Sequence, residues 1–290
     1  MNNRFMINYI PGTTPVHRLN GATKVIGFFV MILFIIMTFD IRLMACMFVF
    51  SFACIISMKP NWKPIIFAFC FMTIMAGVIG SLLVVLVRPS MGLSRVGGET
   101  LIIRWSDRFY LTWELVWYLL VFFAKRLTSL AAALVFILSI TPSELAAGLN
   151  TIGLPYKACT IISLAFRTIP DIARDFVDIK NSLALRGVEL DRRKSTLVHR
   201  LKQMVLILVP LIMSSFDRVD TIANAMDLRG FGKNKKRTWY SENPPRRMDW
   251  IVRICFAVLT LYCVYYLLWQ RIIHPPLFEY WCPWINPRIK

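Results

Sequence analysis

The chain of 290 residues is 57% hydrophobic, has a mean hydropathy of +0.58 and carries a charge on only 17% of its residues. Soluble domains average about 25% charged residues, so the composition excludes an ordinary soluble globule. The net charge of +18 would suggest nucleic-acid binding in a soluble protein. Here the basic residues stand beside apolar blocks, so we expect them to meet anionic lipid or an acidic protein surface, with no nucleic acid as partner.

The apolar residues are grouped in blocks close to the ~20 residues that a helix needs to cross a bilayer. In chain order these blocks predict about five membrane-spanning helices, at residues 25–39, 43–58, 65–87, 111–140 and 250–269. Residues 88–110, which contain Gly97-Gly98 and several charges, are predicted to be a loop. The predicted fold class is therefore all-α, a polytopic helical membrane protein.

Two of these blocks contain residues that need a further interpretation. Lys125 and Arg126 interrupt the fourth block, and because charges at the bilayer centre are costly, we expect them near an interface, with residues 127–140 inserted more deeply. In the third block, Ala76 and Gly80 form a small-xxx-small step that lets helices approach closely. That step predicts either packing within the chain or contact with another membrane subunit.

From Thr141 onward the composition becomes polar, and until residue 248 no apolar run reaches the ~17 residues needed to span. Apolar residues instead recur three and four positions apart in residues 157–186 and 195–229, which predicts two amphipathic helices, the longer of them roughly 50 Å long. The predicted stripes are Ile162, Phe166, Ile169, Ala173, Phe176 and Leu183 in the first helix, and Val198, Leu201, Val205, Leu208, Ile212, Phe216, Val219, Ala223 and Met226 in the second. Their stripes could pack on each other or on the membrane surface. Each helix contains one proline, Pro170 or Pro210, which removes a backbone hydrogen bond and should kink it.

The same tripeptide closes both amphipathic helices, as Leu185-Arg186-Gly187 and as Leu228-Arg229-Gly230. One interpretation is structural, since glycine is a common helix terminator and a cation in the last turn complements the helix dipole. The other is functional, since an arginine offers a planar five-donor group to an acidic or carbonyl-lined pocket. The repetition favours paired docking points for a partner with two similar sockets.

The sequence predicts three domains. Residues 1–140 are predicted to form a membrane domain, residues 141–232 a polar domain with the two long helices, and residues 233–290 a basic linker, the last spanning helix and a short tail. With four spans before the polar segment and one after it, the N-terminus and this segment share one side of the membrane. The acid-free N-terminal head and the basic cluster before Trp250 favour the cytoplasm.

These motifs resemble those of a known family, the transmembrane (T) component of energy-coupling factor (ECF) transporters, also called the EcfT/CbiQ family. The resemblance covers residues 9–270 approximately and is closest from Pro210-Leu211 through Gly232. Two departures are the leucine that begins each tripeptide, where the family often has alanine, and Asn181-Ser182 in place of alanine-glutamine. The matching segments are Tyr9-Ile10-Pro11-Gly12, His17-Arg18-Leu19, Thr23-Lys24, Thr141-Pro142, Leu154-Pro155, the segment from Phe166 to Pro170, and the segment from Ala225 to Gly232.

The resemblance implies a non-catalytic subunit of an ATP-driven importer of vitamins or other micronutrients in the bacterial cell membrane. Such a T component joins two ECF-type ATPase subunits to a substrate-binding S component, which chooses the substrate. Arg186 and Arg229 would each sit in a groove of one ATPase, and Pro170 and Pro210 would act as hinges. ATP would be bound by the ATPases, and this chain would bind no cofactor and no metal.

Catalytic alternatives find little support in the sequence. It contains no G-x-x-x-x-G-K-[ST] loop, no G-x-S-x-G and no H-E-x-x-H. The three histidines are far apart along the chain, and His17 is predicted to be a structural hydrogen-bonding residue. The seven cysteines form no C-x-x-C pair and predict neither a disulfide framework nor a metal site. The rival hypothesis is an intramembrane lipid-modifying enzyme that uses Asp40, Glu114 or Lys125.

Overall fold

A computed structural model describes residues 14–87, 101–104, 110–188, 197–234 and 246–268. The chain divides into two compact units. We call Tyr9–Ile140 with Asn243–Lys290 the membrane unit, and Met1–Asn8 with Thr141–Glu242 the amphipathic unit.

Helices make up almost all of the described part of the membrane unit, which confirms the predicted fold class. Three helical stretches are long and apolar enough to cross a membrane: Trp62–Leu82, Trp113–Ser139 and Arg247–Tyr266. The first two helices have 17 residues each, about 25 Å, which is near the lower limit for a span. In chain order the helices are α1 (Gly21–Met37), α2 (Ile41–Ser57), α3 (Trp62–Met72), a π-helical stretch (Thr73–Ile79), α4 (Gly80–Val87), α5 (Trp113–Ser139) and, after the amphipathic unit, α9 (Arg247–Leu268).

Helix α5 is the centre of the membrane unit, because it contributes at least one residue to each of three buried clusters. Met44 of α2 packs with Leu115, Tyr118 and Val121. Further along, Ala131 packs with Ile55 and Ile65, and Ala132 packs with Met31 and Ile35. Helices α1, α2 and α3 therefore all pack against α5.

Two lysines fix how α1 and α5 lie side by side. Lys24, near the start of α1, donates from Nζ to the Ser139 carbonyl at 2.8 Å, and Lys125 donates to the Ile36 carbonyl at 2.7 Å. Residues 125–139 of α5 therefore run alongside α1, antiparallel to it. Lys125 lies level with the last turn of α1, and its place near a membrane interface stays a prediction.

Part of the predicted loop at residues 88–110 is instead a β-hairpin. Strand β1 (Leu101–Arg104) pairs antiparallel with β2 (Tyr110–Thr112), with a register shift between Leu101 and Ile103. The loop prediction was wrong for these residues, because the charges of the segment concealed two short runs of strand-favouring isoleucine, tyrosine and threonine. Gly97-Gly98 lies outside the described residues.

The amphipathic unit contains α6 (Pro142–Ile152), α7 (Tyr156–Leu185) and α8 (Leu197–Leu228). Helix α6 begins with a capping box, in which the Thr141 hydroxyl accepts from the Glu144 amide and the Glu144 carboxylate accepts from the Thr141 amide. Helices α7 and α8 are the two predicted amphipathic helices, with ends that differ from the prediction by one or two residues. They pack on each other.

Candidate functional site

Both tripeptides form the same helix-terminating hydrogen-bond motif. At the end of α7 the Gly187 amide donates to the Ala184 carbonyl and the Val188 amide to the Leu183 carbonyl, both at 3.1 Å. This is a Schellman motif, and its glycine has a φ of 81°. Arg186 occupies the last position before the chain turns away.

The end of α8 repeats this geometry. The Gly230 amide donates to the Asp227 carbonyl and the Phe231 amide to the Met226 carbonyl, both at 2.9 Å, and Gly230 has a φ of 66°. Arg229 therefore stands at the same position as Arg186. We call the two ends, Leu185–Gly187 and Leu228–Gly230, the tips.

A third helix ends in the same glycine turn but lacks the leucine and arginine of the tips. Helix α6 also ends in a Schellman motif, with Gly153 at a φ of 119°, but its last residues are Thr151 and Ile152. The glycine is thus a general helix terminator in this unit. The leucine and arginine before it are what distinguish the two tips.

The tips present their leucines to the outside. Leu185 and Leu228 are each 90% exposed, and Arg186 and Arg229 are exposed beside them. Among the large apolar residues that the structure describes, no other is exposed to this degree. Because burying a leucine is favourable by about 1.5–3 kcal/mol, two leucines held on rigid turns are suited to insertion into partner pockets.

The tips lie at opposite ends of α7. The Phe231 ring, next to the second tip, meets the Tyr156 ring edge-on at a centroid distance of 5.6 Å, and Tyr156 is the first residue of α7. The first tip begins at Leu185, the last residue of this 30-residue helix, about 45 Å away. Two sockets this far apart would belong to two subunits, or to two distant places on one.

An ion-pair group connects α7 and α8 between the tips. A terminal guanidinium nitrogen of Arg218 on α8 donates to the Asp175 carboxylate on α7. The other terminal nitrogen lies 3.9 Å from the Asp171 carboxylate, which Arg174 approaches at 3.7 Å from within its own helix. Asp171 directly follows Pro170, so the predicted hinge position lies beside the cross-helix contact.

The predicted apolar stripe of α8 remains largely uncovered, and that of α7 is partly covered. A cavity of about 330 Å³ separates α7 from α8, and the α7 residues that line it are Ile161, Leu164, Ala165, Thr168 and Ile172. None of them belongs to the predicted stripe, of which Ile169 and Phe176 are still 45% and 44% exposed. On α8 the stripe residues Leu201, Val205, Leu208, Ile212, Phe216 and Val219 are all at least 42% exposed. Exposed apolar stripes of this length are typical of contact with a partner or with lipid.

Comparison with known proteins gives the family. A family model described as cobalt transport protein, CbiQ, matches residues 12–240, well over half of the chain. The chain belongs to this family, the transmembrane components of ECF transporters. It is 25% identical over 272 residues to the "Energy-coupling factor transporter transmembrane protein EcfT" of Streptococcus equi, covering 87% of this chain and 90% of that protein.

Two further relatives with the same name match over most of their length. The Heliobacterium modesticaldum protein is 27% identical over 272 residues, 91% of this chain and 96% of the relative. The Lactococcus lactis protein is 24% identical over 294 residues, 94% of this chain and 100% of the relative. The match to the ECF family thus includes both the membrane unit and the amphipathic unit, with both tips.

The residues of the rival enzyme hypothesis make packing contacts in this ECF family member. Asp40 accepts a hydrogen bond from the Tyr266 hydroxyl at 2.7 Å. Lys125 donates to the Ile36 carbonyl and lies over the Phe39 ring at 3.9 Å. Glu114 is buried in the first turn of α5. The contacts of Asp40 and Lys125 connect helices, and the family is one of transporter components.

The small residues of the third block differ in their surroundings. A Cβ added at Gly77 would lie 3.1 Å from Cε2 of Phe123 on α5, so Gly77 is where this segment approaches α5 closely. At Gly80 the nearest atom would be the Met75 carbonyl oxygen of the same segment, 3.7 Å away. Contact of Ala76 and Gly80 with another subunit stays a prediction.

Sequence reasoning missed a buried polar network at one end of the membrane unit. The Lys24 ammonium donates to the carbonyls of His17 and Ser139, and the Asp249 carboxylate accepts from the amides of Asn20 and Arg246 at 2.8 Å each. The His17 ring is hydrogen-bonded to the Thr14 hydroxyl, in agreement with its predicted structural role. The only sequence signal was the Thr-Lys pair in the matching head segment.

Metal and disulfide chemistry find no support in the described ranges. No three histidine, cysteine, aspartate or glutamate residues are grouped as metal ligands there. The six cysteines in these ranges are free thiols; Cys282 and His274 lie outside them. Burial raises the pKa of the Cys159 thiol in α7, which makes it less reactive.

Proposed function

We propose that this chain is the scaffold and energy-coupling subunit of an ATP-driven ECF importer of vitamins or other micronutrients. The observation that carries the proposal is the pair of identical tips, each with a leucine that is 90% exposed, at opposite ends of α7. The names of the matched relatives, ECF transporter transmembrane proteins, support the same function.

Each tip would dock in a groove of one of two ATPase subunits. Arg186 or Arg229 would make charge-assisted hydrogen bonds to carboxylates or carbonyls in the groove, and the neighbouring leucine would fill its apolar part. The separation of about 45 Å along α7 favours one tip for each ATPase. ATP would be bound and hydrolysed by these subunits, so this chain is non-catalytic and holds no cofactor.

The exposed residues of the stripes of α7 and α8 would contact the S component, with Ala76 and Gly80 as a second contact in the membrane. When ATP brings the ATPases together, the tips approach and the angle between α7 and α8 changes, with Pro170 and Pro210 as hinges. That motion would reorient the S component and release its substrate inside. The amphipathic unit and the N-terminus are accordingly cytoplasmic, in a bacterial cell membrane.

Charge reversal at the tips tests the proposal. The double variant Arg186→Glu/Arg229→Glu should insert in the membrane normally, lose the co-purifying ATPases and abolish uptake. Hydrogen bonds to charged groups contribute about 1.5–3 kcal/mol each, so each single reversal should weaken ATPase binding roughly tenfold or more.

A matched control is Lys180→Glu/Lys202→Glu. It makes the same change in net charge on exposed positions of α7 and α8 that are not part of the tips. This control should retain both ATPases and uptake. Normal uptake by the tip variant, or equal loss in the control, would refute docking through the tips.

A further inference from the structure

The membrane unit contains a second feature that the coupling function does not use, a half-open cavity of about 510 Å³. It lies among the chain head before α1 and helices α1, α2, α5 and α9. Its volume is within the range of small-molecule sites, about 300–1,000 Å³. Its wall is mainly apolar, with Phe28, Met31, Phe50, Val135, Phe136 and Phe256 among the lining residues.

Charged side chains lie among the lining residues: Arg18, Lys24, Arg246 and Asp249. The Lys24 ammonium is buried and donates to two carbonyls, and both Asp249 carboxylate oxygens accept from backbone amides. Arg18 and Arg246 are exposed, and within the described ranges neither guanidinium makes an ion pair or hydrogen bond. The cavity therefore has two cations available for an anion.

These charges lie at the end of the membrane unit that contains the start of α1, the end of α5 and the start of α9. Lys24 stands in the first turn of α1 and bonds to the last residue of α5, and Arg246 directly precedes α9. On the topology proposed above, this end faces the cytoplasm, where anionic lipids attract basic residues. Exposed Phe50 and Met248 line the same cavity.

We propose that this cavity binds one anionic glycerophospholipid. One acyl chain lies against the apolar wall, and the headgroup phosphate pairs with Arg18 and Arg246. The apolar wall selects a lipid over a soluble anion, and the two arginines select an anionic headgroup over a zwitterionic one. Basic pockets between membrane helices bind anionic headgroups for the same reason.

The test uses the full chain purified in detergent with an equal mixture of phosphatidylglycerol and phosphatidylcholine, and native mass spectrometry counts the retained lipid. The parent should retain one phosphatidylglycerol in preference to phosphatidylcholine. Arg18→Gln/Arg246→Gln should weaken phosphatidylglycerol binding roughly tenfold, since each basic residue contributes to the attraction. Arg18→Lys/Arg246→Lys should keep most of it, and tryptophan-detected thermal unfolding checks that each variant is folded.

Two further variants separate the headgroup from the acyl chain. Lys59→Gln/Lys63→Gln removes two exposed charges beside the α2–α3 turn, outside the cavity lining, and should retain the lipid preference. Cys54→Phe adds bulk to the cavity wall without changing charge, and should reduce retention of phosphatidylglycerol. Inorganic phosphate alone should not displace the lipid.

Four outcomes would overturn the proposal. Equal loss in Lys59→Gln/Lys63→Gln would indicate diffuse surface attraction, and retention without headgroup preference would remove the role of the arginines. Displacement of the lipid by inorganic phosphate would indicate a simple anion site. Retention only after removal of residues 1–13 would mean that the chain's own head occupies the cavity.

Discussion

At the residue scale, each tip depends on the glycine that follows its arginine. Gly187 and Gly230 have φ angles of 81° and 66°, a region that costs residues with a Cβ about 1–2 kcal/mol. A Cβ at Gly187 would meet no atom within 4 Å. A substitution there therefore acts through the backbone conformation and not through a clash.

The first prediction compares two substitutions at Gly187. Asparagine tolerates the left-handed conformation, whereas a β-branched residue does not. Gly187→Asn should keep ATPase binding close to that of the parent, and Gly187→Val should weaken it up to roughly tenfold. Quantitative co-purification with the ATPases measures both. Equal binding by the two variants would show that the turn does not orient Arg186.

The tips could be predicted from the sequence because they are local, whereas the buried network could not. A glycine and an arginine at the end of a periodic apolar stripe can be recognised from a short stretch of sequence. The partners of Lys24 are the carbonyls of His17 and Ser139, and the second is 115 positions away. Such a contact depends on how α1 packs against α5, which the sequence pattern does not specify.

At the element scale, the ion pairs of Arg218 hold α7 and α8 in one relative orientation. Its side chain is 31% exposed and that of Asp175 26%, so the pair is partly screened and contributes about 1 kcal/mol. This contribution is small enough to be broken when the helices move. The contact can therefore set the resting angle without locking it.

The second prediction exchanges these charges. Arg218→Asp places three carboxylates together and should lower substrate uptake per ATP hydrolysed severalfold. Adding Asp175→Arg to this variant restores an opposite-charge pair and should recover much of the ratio. Transport and ATPase rates in reconstituted vesicles provide the measurement. Recovery that is no better than with Asp178→Arg, which makes the same change in net charge at an exposed position of α7, would contradict the role of this contact.

The third prediction concerns the two internal prolines. Alanine is about 3 kcal/mol more favourable than proline inside a helix, so Pro170→Ala/Pro210→Ala should straighten and stiffen α7 and α8. The variant should assemble and hydrolyse ATP normally, yet import less substrate per ATP. The same vesicle assay measures this, and an unchanged ratio in a fully assembled complex would count against the hinges.

The long helices were predicted well, whereas the 11-residue helix α6 and the irregular parts were not. The long apolar or amphipathic periodicity placed every predicted helix within four residues of an observed one. The π-helical stretch Thr73–Ile79 has no composition that separates it from the α-helix around it. The hairpin of β1 and β2 is too short for its alternation to stand out among charges. The face that α7 turns to α8 was likewise not predicted, because two neighbouring faces of α7 are apolar.

At the scale of the whole molecule, the proposed function requires the amphipathic unit to reach the ATPases in the cytoplasm. The five predicted spans, of which α1 and α2 have only 17 residues each, would place the N-terminus and this unit on one side and the C-terminal tail on the other.

The fourth prediction tests this topology with a membrane-impermeant thiol reagent. Lys233→Cys, at an exposed position after α8, should react only after the cells are permeabilised, and Glu279→Cys should react in intact cells. The unsubstituted chain provides the background from its own cysteines. Labelling of position 233 in intact cells would place the tips on the wrong side for ATPase binding.

The most direct test of coupling is the distance between the tips in the assembled transporter. Spin labels on Val188→Cys and Lys233→Cys, which follow the two tips and leave their leucines and arginines in place, report this distance by pulsed electron paramagnetic resonance. Without ATP the labels should lie about 45 Å apart, the length of α7. ATP should shorten the distance, because closure of the ATPases brings their grooves together. A distance that does not change with ATP, in a complex that still imports substrate, would contradict the account.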